Sequence, residues 1–304
     1  MSQVELFIEA KHRLGEAIIW HEAHQCLYWI DLLDPALFHH DPKTAKTRSW
    51  PLPLAAPIGA IVATDNPDLL LITHTHGLSL LRISDLSLEP YCDPEAGRDA
   101  MIWNDAKCDR WGRVWAGSSH VFEKEARGAL WCIRDRKHFA LGDAGFAISN
   151  GPAVSPDGLT LYFNDSLGRT TFAYDITEGD LHPRNRRALI HFAPEDGLPD
   201  GIITDAEGCL WIAHWGGARI SRYTNEGRLI AAYPVPAGNV TTMCFAGPDF
   251  KTLYITTARD GLSPEALDVM PLTGSLFRLE TDTKGLPEPL FRLSSFSPSP
   301  ALSR

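Results

Sequence analysis

Four short segments of the sequence place carboxylate or amide side chains beside glycine or inside apolar surroundings. They are Leu14-Gly15-Glu16, Asn104-Asp105, Ser149-Asn150-Gly151 and Pro199-Asp200-Gly201. Two carboxylates with one or two amide oxygens form a hard oxygen-donor set, which suits Ca²⁺, Mg²⁺ or Mn²⁺ and leaves positions for water. A structural zinc site would instead use thiolates and imidazoles. The residue types therefore predict a divalent-cation site, if the fold brings the four segments together.

A repeated apolar pattern indicates which fold would do so. A β-rich stretch recurs around positions 28, 71, 115, 162, 211 and 254, and the spacing of 43 to 49 residues is the length of one four-stranded propeller blade. Turn signals such as Asp157-Gly158 precede these stretches, which is typical of an all-β chain. We therefore predict a six-bladed β-propeller in which residues 1–304 form a single domain, and we expect the Ser/Pro-rich tail, 294–304, to be flexible.

The blade repeat also puts the polar residues in register. Asn104, Asn150 and Asp200 each lie 11 or 12 residues ahead of the repeated apolar position of their own blade. We take the repeated stretch to be the innermost strand of each blade, and innermost strands converge on the propeller axis. Glu16 adds a carboxylate within an otherwise apolar strand pattern. A metal site at the centre of the ring is the resulting prediction.

The ordered set of motifs resembles the gluconolactonase/regucalcin (senescence marker protein) family from about residue 12 to residue 280. In that family the residues matching Glu16, Asn150 and Asp200 hold a divalent ion, and the residue matching Asn104 contacts substrate. The resemblance implies metal-dependent hydrolysis of a sugar lactone to the aldonic acid, with Asp200 as the catalytic general base. The implied cofactor is one divalent ion, and the sequence leaves Ca, Mg, Mn, Zn and Fe open.

The sequence departs from the family pattern around the expected pocket. Sugar-lactonase members usually carry Arg two residues before the Asn, and here Ile102 takes that place. An acidic residue that often follows the third inner strand is replaced by His120-Val121-Phe122. Without the five donors of a guanidinium the pocket suits a hydroxyl-rich ring less well. Ile102, His120 and His214 are therefore the further candidates for substrate contact, the two histidines because they follow strands near the expected rim.

Two alternatives to a sugar lactonase follow from these departures. The first is a hydrolase of a less polar lactone or of a phosphotriester, favoured by Ile102 and Phe122. The second is a non-catalytic calcium-binding propeller, which would bind the ion without turning over any lactone.

The composition limits the classes of partner. The formal net charge of −10 argues against nucleic acid, because its binding depends on neutralising phosphates with Lys and Arg. The sequence has no apolar run near the ~20 residues that span a bilayer, and its start lacks the basic and apolar regions of a secretory signal. We therefore expect a cytoplasmic protein that binds a small-molecule lactone and neither nucleic acid nor membrane. A closed ring exposes only short strand edges, so we expect a monomer or a weak homo-oligomer.

Overall fold

The structure, a computed structural model, describes residues 3–293, so the tail expected to be flexible, 294–304, lies outside the described residues. Within residues 3–293 the strands form six four-stranded antiparallel sheets arranged as blades around an axis. The predicted six-bladed β-propeller is confirmed. In the same residues no helix is long and apolar enough to cross a membrane.

Strand β1 (Glu5–Ile8) begins the chain but belongs to the last blade. Blade 1 contains, from the axis outward, β2 (Gly15–His21), β3 (Cys26–Asp31), β4 (Ala36–Asp41) and β5 (Lys46–Pro51). Blade 2 contains β6 (Ile58–Ala63), β7 (Leu69–His74), β8 (Gly77–Arg82) and β9 (Leu88–Cys92). Blade 3 contains β10 (Met101–Cys108), β11 (Val114–His120), β12 (Gly128–Ile133) and β13 (Phe139–Phe146).

Blade 4 contains β14 (Ser149–Val154), β15 (Thr160–Asp165), β16 (Thr170–Asp175) and β17 (Arg184–His191). Blade 5 contains β18 (Leu198–Thr204), β19 (Leu210–Trp215), β20 (Arg219–Tyr223) and β21 (Leu229–Pro234). Blade 6 contains β22 (Asn239–Ala246), β23 (Thr252–Ala258) and β24 (Leu276–Glu280), with β1 as its outer strand. A 3₁₀ turn (Pro194–Asp196) precedes β18, and a short helix, α1 (Pro264–Val269), lies between β23 and β24.

The ring is closed by strands from opposite ends of the chain. β1 pairs antiparallel with β24, with Glu5 opposite Arg278 and Leu6 opposite Phe277. A single bridge between Leu14 and Ala258 joins the start of blade 1 to blade 6. Because both ends of the described chain contribute to one blade, the sheet edges at the seam are satisfied by hydrogen bonds within the chain.

The repeated apolar stretch occupies the second strand of each blade, so its assignment to the innermost strand is wrong. Trp29, Trp115 and Trp211, for example, lie on β3, β11 and β19 and are fully buried. A second strand is covered on both faces by the neighbouring blades, which favours uniformly apolar residues. The innermost strand borders the axial channel and therefore carries the polar residues.

A repeated aspartate explains the turn signals between these two strands. In blade 3 Asp109 accepts the indole N–H of Trp115 at 2.9 Å, and in blade 5 Asp205 accepts that of Trp211 at 2.9 Å. An arginine completes each group, with Arg113 Nε 2.7 Å and Arg222 Nε 2.9 Å from the carboxylate. The aspartate is thus fully paired in a buried place, as such a charge requires, and it fixes the turn that follows the innermost strand.

Candidate functional site

A β-bulge interrupts each of the six innermost strands within residues 3–293, and the bulges lie at the same level of the ring. In four strands the bulge adjoins the predicted polar residues: it begins at Glu16 in β2, includes Asn104 in β10, begins at Asn150 in β14 and includes Asp200 in β18. A bulge leaves an extra residue unpaired and changes the direction of its side chain. The break in strand pairing therefore lets these polar side chains point towards the axis.

Three buried carboxylates from three blades influence one another at this level. Burial raises the pKa of Glu16 well above its ordinary value, and the neighbouring Asp105 and Asp200 carboxylates raise it further. Burial and the Asp105 carboxylate likewise raise the pKa of Asp200. Burial raises the pKa of Asp105 to about 6, although Lys107 and the Gly151 amide oppose this shift. Mutual repulsion of this kind is relieved by a cation placed between the groups.

A chain of amide and hydroxyl hydrogen bonds orients the polar groups of blades 3 to 5. Asn104 Nδ2 donates to Asn150 Oδ1 and to the Ser149 carbonyl, both at 2.7 Å. Asn150 Nδ2 donates to Ser166 Oγ at 2.8 Å, and that hydroxyl donates to the Pro199 carbonyl at 2.6 Å. The Asn150 amide is therefore held in one orientation, with its oxygen on the side of Asn104.

Asp105 is a site residue that the sequence analysis did not single out. Its Oδ2 atom accepts the Gly151 N–H at 3.1 Å, and its charge acts on both Glu16 and Asp200. Ordinary strand alternation would point only one of the adjacent pair, Asn104 or Asp105, towards the axis. The bulge between Trp103 and Ala106 removes that restriction. The feature of the sequence that could have identified Asp105 is its position directly after Asn104.

Apolar side chains of blade 3 lie near the start of β10, at the end of the ring where the sequence predicts the substrate pocket; we call this end the pocket mouth. Ile102 pairs with Ser119 in the ladder and is half-buried, while His120 at the end of β11 is buried. The His120 ring lies 5.5 Å from that of Phe122, whose side chain is 70% exposed. Among the described residues, His120 Nδ1 has no hydrogen-bond partner. Ile102 thus lies on the same strand as Asn104, and His120 lies on the neighbouring strand β11. Their contact with substrate remains a prediction.

Glu123 supplies a carboxylate at the corner where the sequence analysis expected none. It follows Phe122 directly, and its charge raises the pKa of Asp200. The pKa of Glu123 is itself raised, by partial burial and by the Asp260 carboxylate. The connection after β11 turns back at Glu123, which has a positive φ of 52°, so a carboxylate follows His120-Val121-Phe122 directly. Whether Glu123 takes the part of the family's acidic residue is not tested by the structure.

His214 lies opposite Pro199 in the β18–β19 ladder, and its side chain packs inside the protein. Its side chain is fully buried, its ring packs edge-on against Phe192 at 5.5 Å, and Nδ1 donates to the Asp196 carbonyl at 2.8 Å. Burial lowers the pKa of His214 to about 4, so the ring is neutral near pH 7. These contacts hold the end of β19 in place, and substrate contact at His214 remains a prediction.

The donor set fits a hard divalent cation only if an amide oxygen takes part. Within residues 3–293 no three His, Cys, Asp or Glu side chains are close enough to hold an ion by themselves. Glu16, Asp200 and the oriented Asn150 oxygen together offer carboxylate and amide donors, which Ca²⁺ and Mg²⁺ accept alongside water. Three buried carboxylates that raise one another's pKa values favour a cation here.

Comparisons with known proteins place this chain among lactonases and regucalcins. The family model for the SMP-30/gluconolactonase/LRE-like region matches residues 14–259. A 6-deoxy-6-sulfogluconolactonase from Pseudomonas putida is 32% identical over 281 residues, 91% of this chain and 94% of the relative. An L-arabinolactonase from Azospirillum brasilense is 30% identical over 287 residues, 93% and 94% of the two chains. The crystal structure of regucalcin from Agrobacterium tumefaciens, a calcium-binding protein, matches with a TM-score of 0.89 at 27% identity, covering 95% of this chain and 97% of that one.

Proposed function

The chain belongs to the SMP-30/gluconolactonase/LRE-like family, and on that premise we propose that it hydrolyses a sugar lactone to the aldonic acid. The observation that carries this proposal is the convergence of Glu16, Asp105 and Asp200 from three blades beside the oriented Asn150 amide. The relatives named for a sulfogluconolactone and for an arabinolactone support the lactone of an aldose or aldose derivative as the substrate class.

A divalent cation is part of this proposal. Glu16, Asp200 and the Oδ1 atom of Asn150 would hold the ion, which when bound polarises the lactone carbonyl and stabilises the oxyanion formed there. The calcium-binding description of the regucalcin neighbour supports Ca²⁺. Mg²⁺, Mn²⁺, Zn²⁺ and Fe²⁺ remain for the experiment to compare, because affinity order alone does not decide which ion a site uses.

The side chains of this protein supply proton transfer and orientation. Asp200 takes a proton from a water molecule as that water attacks the lactone carbonyl carbon. The ring C–O bond then breaks, and the proton passes from Asp200 to the departing ring oxygen, which becomes a hydroxyl of the aldonic acid. The amide nitrogen of Asn104 is already engaged with Asn150 and Ser149. Its oxygen therefore remains to accept a hydroxyl of the substrate.

The pocket mouth favours a second candidate substrate class. Ile102 and the exposed Phe122 present apolar surface beside the site, whereas Glu123 presents a carboxylate close to Asp200. An apolar mouth suits a less polar lactone or a phosphotriester, and the carboxylate suits a ring that carries hydroxyls. The ratio of activities on the two kinds of lactone decides between them.

We further propose that the protein works as a monomer or as a weak homo-oligomer. The outer strands of two blades carry a high density of charge, with Arg184, Arg186 and Arg187 on β17 and Lys46 and Arg48 on β5. Charged outer strands oppose edge-to-edge pairing between copies. The excess of acidic residues argues against a nucleic-acid partner, because such binding needs Lys and Arg to neutralise phosphates.

The experiment is a pH-stat assay of acid release by chelator-treated protein. D-Glucono-1,5-lactone, pentonolactones and an alkyl-substituted lactone are compared while Ca²⁺, Mg²⁺, Mn²⁺, Zn²⁺ and Fe²⁺ are added back in turn. Glu16→Ala removes a proposed ligand, and Glu22→Ala removes an exposed carboxylate of the same blade as the matched control. Ion-dependent turnover that disappears only in Glu16→Ala supports the proposal. Tight ion binding without any turnover would identify a calcium-binding propeller instead.

A further inference from the structure

A segment without regular secondary structure, residues 284–293, crosses the face of the propeller opposite the pocket mouth; we call it the C-terminal strap. Its first residues are hydrogen-bonded to blades 5 and 6 and its last residues to blades 2 and 3. The bonds are Ala206 N to Lys284 O (2.8 Å), Gly285 N to Phe250 O (2.8 Å), Phe291 N to Ala63 O (2.9 Å) and Arg292 N to Gly112 O (3.3 Å). The strap therefore spans the ring across the end of the axial channel.

Glu288, in the middle of the strap, is paired with a lysine of the channel. Lys107 Nζ donates to Glu288 Oε1 at 2.9 Å, and the two side chains are only 17% and 23% exposed. Lys107 lies near the far end of β10, on the same strand as Asn104 and Asp105. A cavity of about 330 Å³ borders the pair and is also lined by Leu286 and Ile202. The ion pair thus lines this cavity, and Glu16, Asp105 and Asp200 do not.

Lys107 can reach those carboxylates. Asp105 lies in the bulge and Lys107 lies directly after it, two residues further along β10, which corresponds to about 7 Å of strand. A lysine stem of four methylenes covers that distance. The lysine charge already opposes the upward pKa shifts of Glu16 and Asp105, which burial causes in the first place. Burial alone would lower the pKa of Lys107, but Glu288, with smaller contributions from Cys244 and Asp105, raises it.

We propose that Glu288 acts as a latch that holds the Lys107 ammonium away from the axial carboxylates and thereby sets the affinity of the site for its cation. With Glu288 in place, the ammonium is directed towards the strap. When the strap releases it, the ammonium turns to Asp105 and Glu16 and competes with the divalent ion for the same negative charge. Lys107 and Glu288 are positioning residues in this scheme, and the scheme rests on the cation site proposed above.

The small number of charges at the site explains why one lysine can change its affinity for a cation. Glu16, Asp105 and Asp200 carry three negative charges when ionised, and an ammonium at hydrogen-bond distance cancels one of them. In partly buried surroundings a unit charge several ångströms away changes the affinity for an ion by roughly 3- to 10-fold or more. The backbone hydrogen bonds of the strap go to blades 2, 3, 5 and 6, and within the described residues none of them involves a proposed ligand. Release of the strap would therefore alter cation affinity without altering the donor set.

The test is a double-mutant cycle on Ca²⁺ binding by the full chain, measured by titration calorimetry at pH 8.5. Glu288→Gln frees the lysine, and Lys107→Met removes its charge but keeps an unbranched stem. We expect Glu288→Gln to weaken Ca²⁺ binding at least 5-fold when Lys107 is present. In the Lys107→Met background the same substitution should change the Kd by less than about 2-fold. Lys107→Met alone should bind Ca²⁺ at least as tightly as the wild type.

Controls separate the latch from a general effect of charge or folding. Glu226→Gln removes an exposed carboxylate from the turn between β20 and β21 without touching Lys107, and it should leave the Kd unchanged. Lys107→Gln repeats the cycle if the methionine variant does not fold. Equal weakening by Glu288→Gln in both backgrounds, or no weakening at all, overturns the latch. A wild-type protein that binds none of Ca²⁺, Mg²⁺ and Mn²⁺ would instead overturn the proposed cation site.

Discussion

Asn104 Nδ2 lies 2.7 Å from Asn150 Oδ1, so an amide of blade 3 orients the amide of blade 4 beside the axis. The same Asn104 nitrogen also donates to the Ser149 carbonyl, which fixes its own position. An amide oxygen has two acceptor positions, and the second one on Asn150 is left for a cation. The proposed ligand Asn150 is therefore oriented by a hydrogen bond between two adjacent blades.

We predict that Asn104→Ala weakens cation binding as well as catalysis. Loss of the Nδ2 donor lets the Asn150 amide rotate, and removal of such a supporting hydrogen bond typically costs about 10- to 100-fold in metal affinity. Titration calorimetry with Ca²⁺ or Mn²⁺ measures the effect directly. Asn225→Ala, at an exposed turn of blade 5, is the matched control and should bind as the wild type does. Wild-type affinity in Asn104→Ala would show that Asn150 needs no such support.

The stability of the protein should depend on pH when the ion is removed. Glu16, Asp105 and Asp200 have raised pKa values, so between about pH 4 and those values the folded, ion-free protein binds more protons than the unfolded chain. Their contribution to stability is complete below about pH 4 and is lost as the pH rises through the folded pKa values. With chelator present, the melting temperature should therefore fall between pH 5 and pH 8. Saturating Ca²⁺ should abolish that fall.

Asp105→Asn isolates one of these carboxylates. The pKa of Asp105 is raised to about 6, which corresponds to a penalty of roughly 2 to 3 kcal/mol for the ionised form at pH 8. The amide should therefore raise the melting temperature of the chelator-treated protein at pH 8 by a few degrees and leave it unchanged near pH 4. Calorimetric scans at the two pH values measure this difference. Destabilisation at pH 8 would mean that the carboxylate is already compensated within the protein.

The sequence predicted the blade repeat and four polar segments of the site, because both depend on short-range patterns. It missed Asp105 because the bulge that turns two adjacent side chains towards the channel has no signature in residue alternation. It missed the strap for a related reason: residues 284–293 have no periodicity, and Glu288 meets Lys107 across 181 positions of the chain. The repeated apolar stretch was assigned to the wrong strand, since burial by two neighbouring blades produces a stronger apolar signal than proximity to the axis.

Gly151→Ala should be strongly destabilising. Gly151 has a φ of +74°, and an added Cβ would lie 2.4 Å from Ile202 Cγ2 in the next blade. The backbone strain and the displacement together should cost about 2 to 4 kcal/mol. Urea unfolding measures the loss. Gly179→Ala, where an added Cβ meets nothing within 4 Å, is the control and should stay within about 0.5 kcal/mol of the wild type.

Ile102→Arg should shift substrate preference towards hydroxyl-rich lactones. Ile102 lies on β10, two residues before Asn104, and a guanidinium there would add donors for ring hydroxyls. We expect kcat/KM for pentonolactones and D-glucono-1,5-lactone to rise roughly 10-fold relative to an alkyl-substituted lactone. Ile102→Leu, which keeps the apolar character, should leave the ratio unchanged. An unchanged ratio in Ile102→Arg would place residue 102 outside the substrate pocket.

One measurement tests most directly whether the axial carboxylates bind a divalent ion and whether the protein then hydrolyses a lactone. Acid release from D-glucono-1,5-lactone and pentonolactones is followed in a pH-stat with chelator-treated wild type and Asp200→Asn, each before and after addition of a saturating ion. We predict turnover by the wild type only with ion present, and less than about 1% of that rate in Asp200→Asn, since a general base contributes 10²- to 10⁴-fold. Turnover that survives chelation, or wild-type turnover in Asp200→Asn, would contradict the claim.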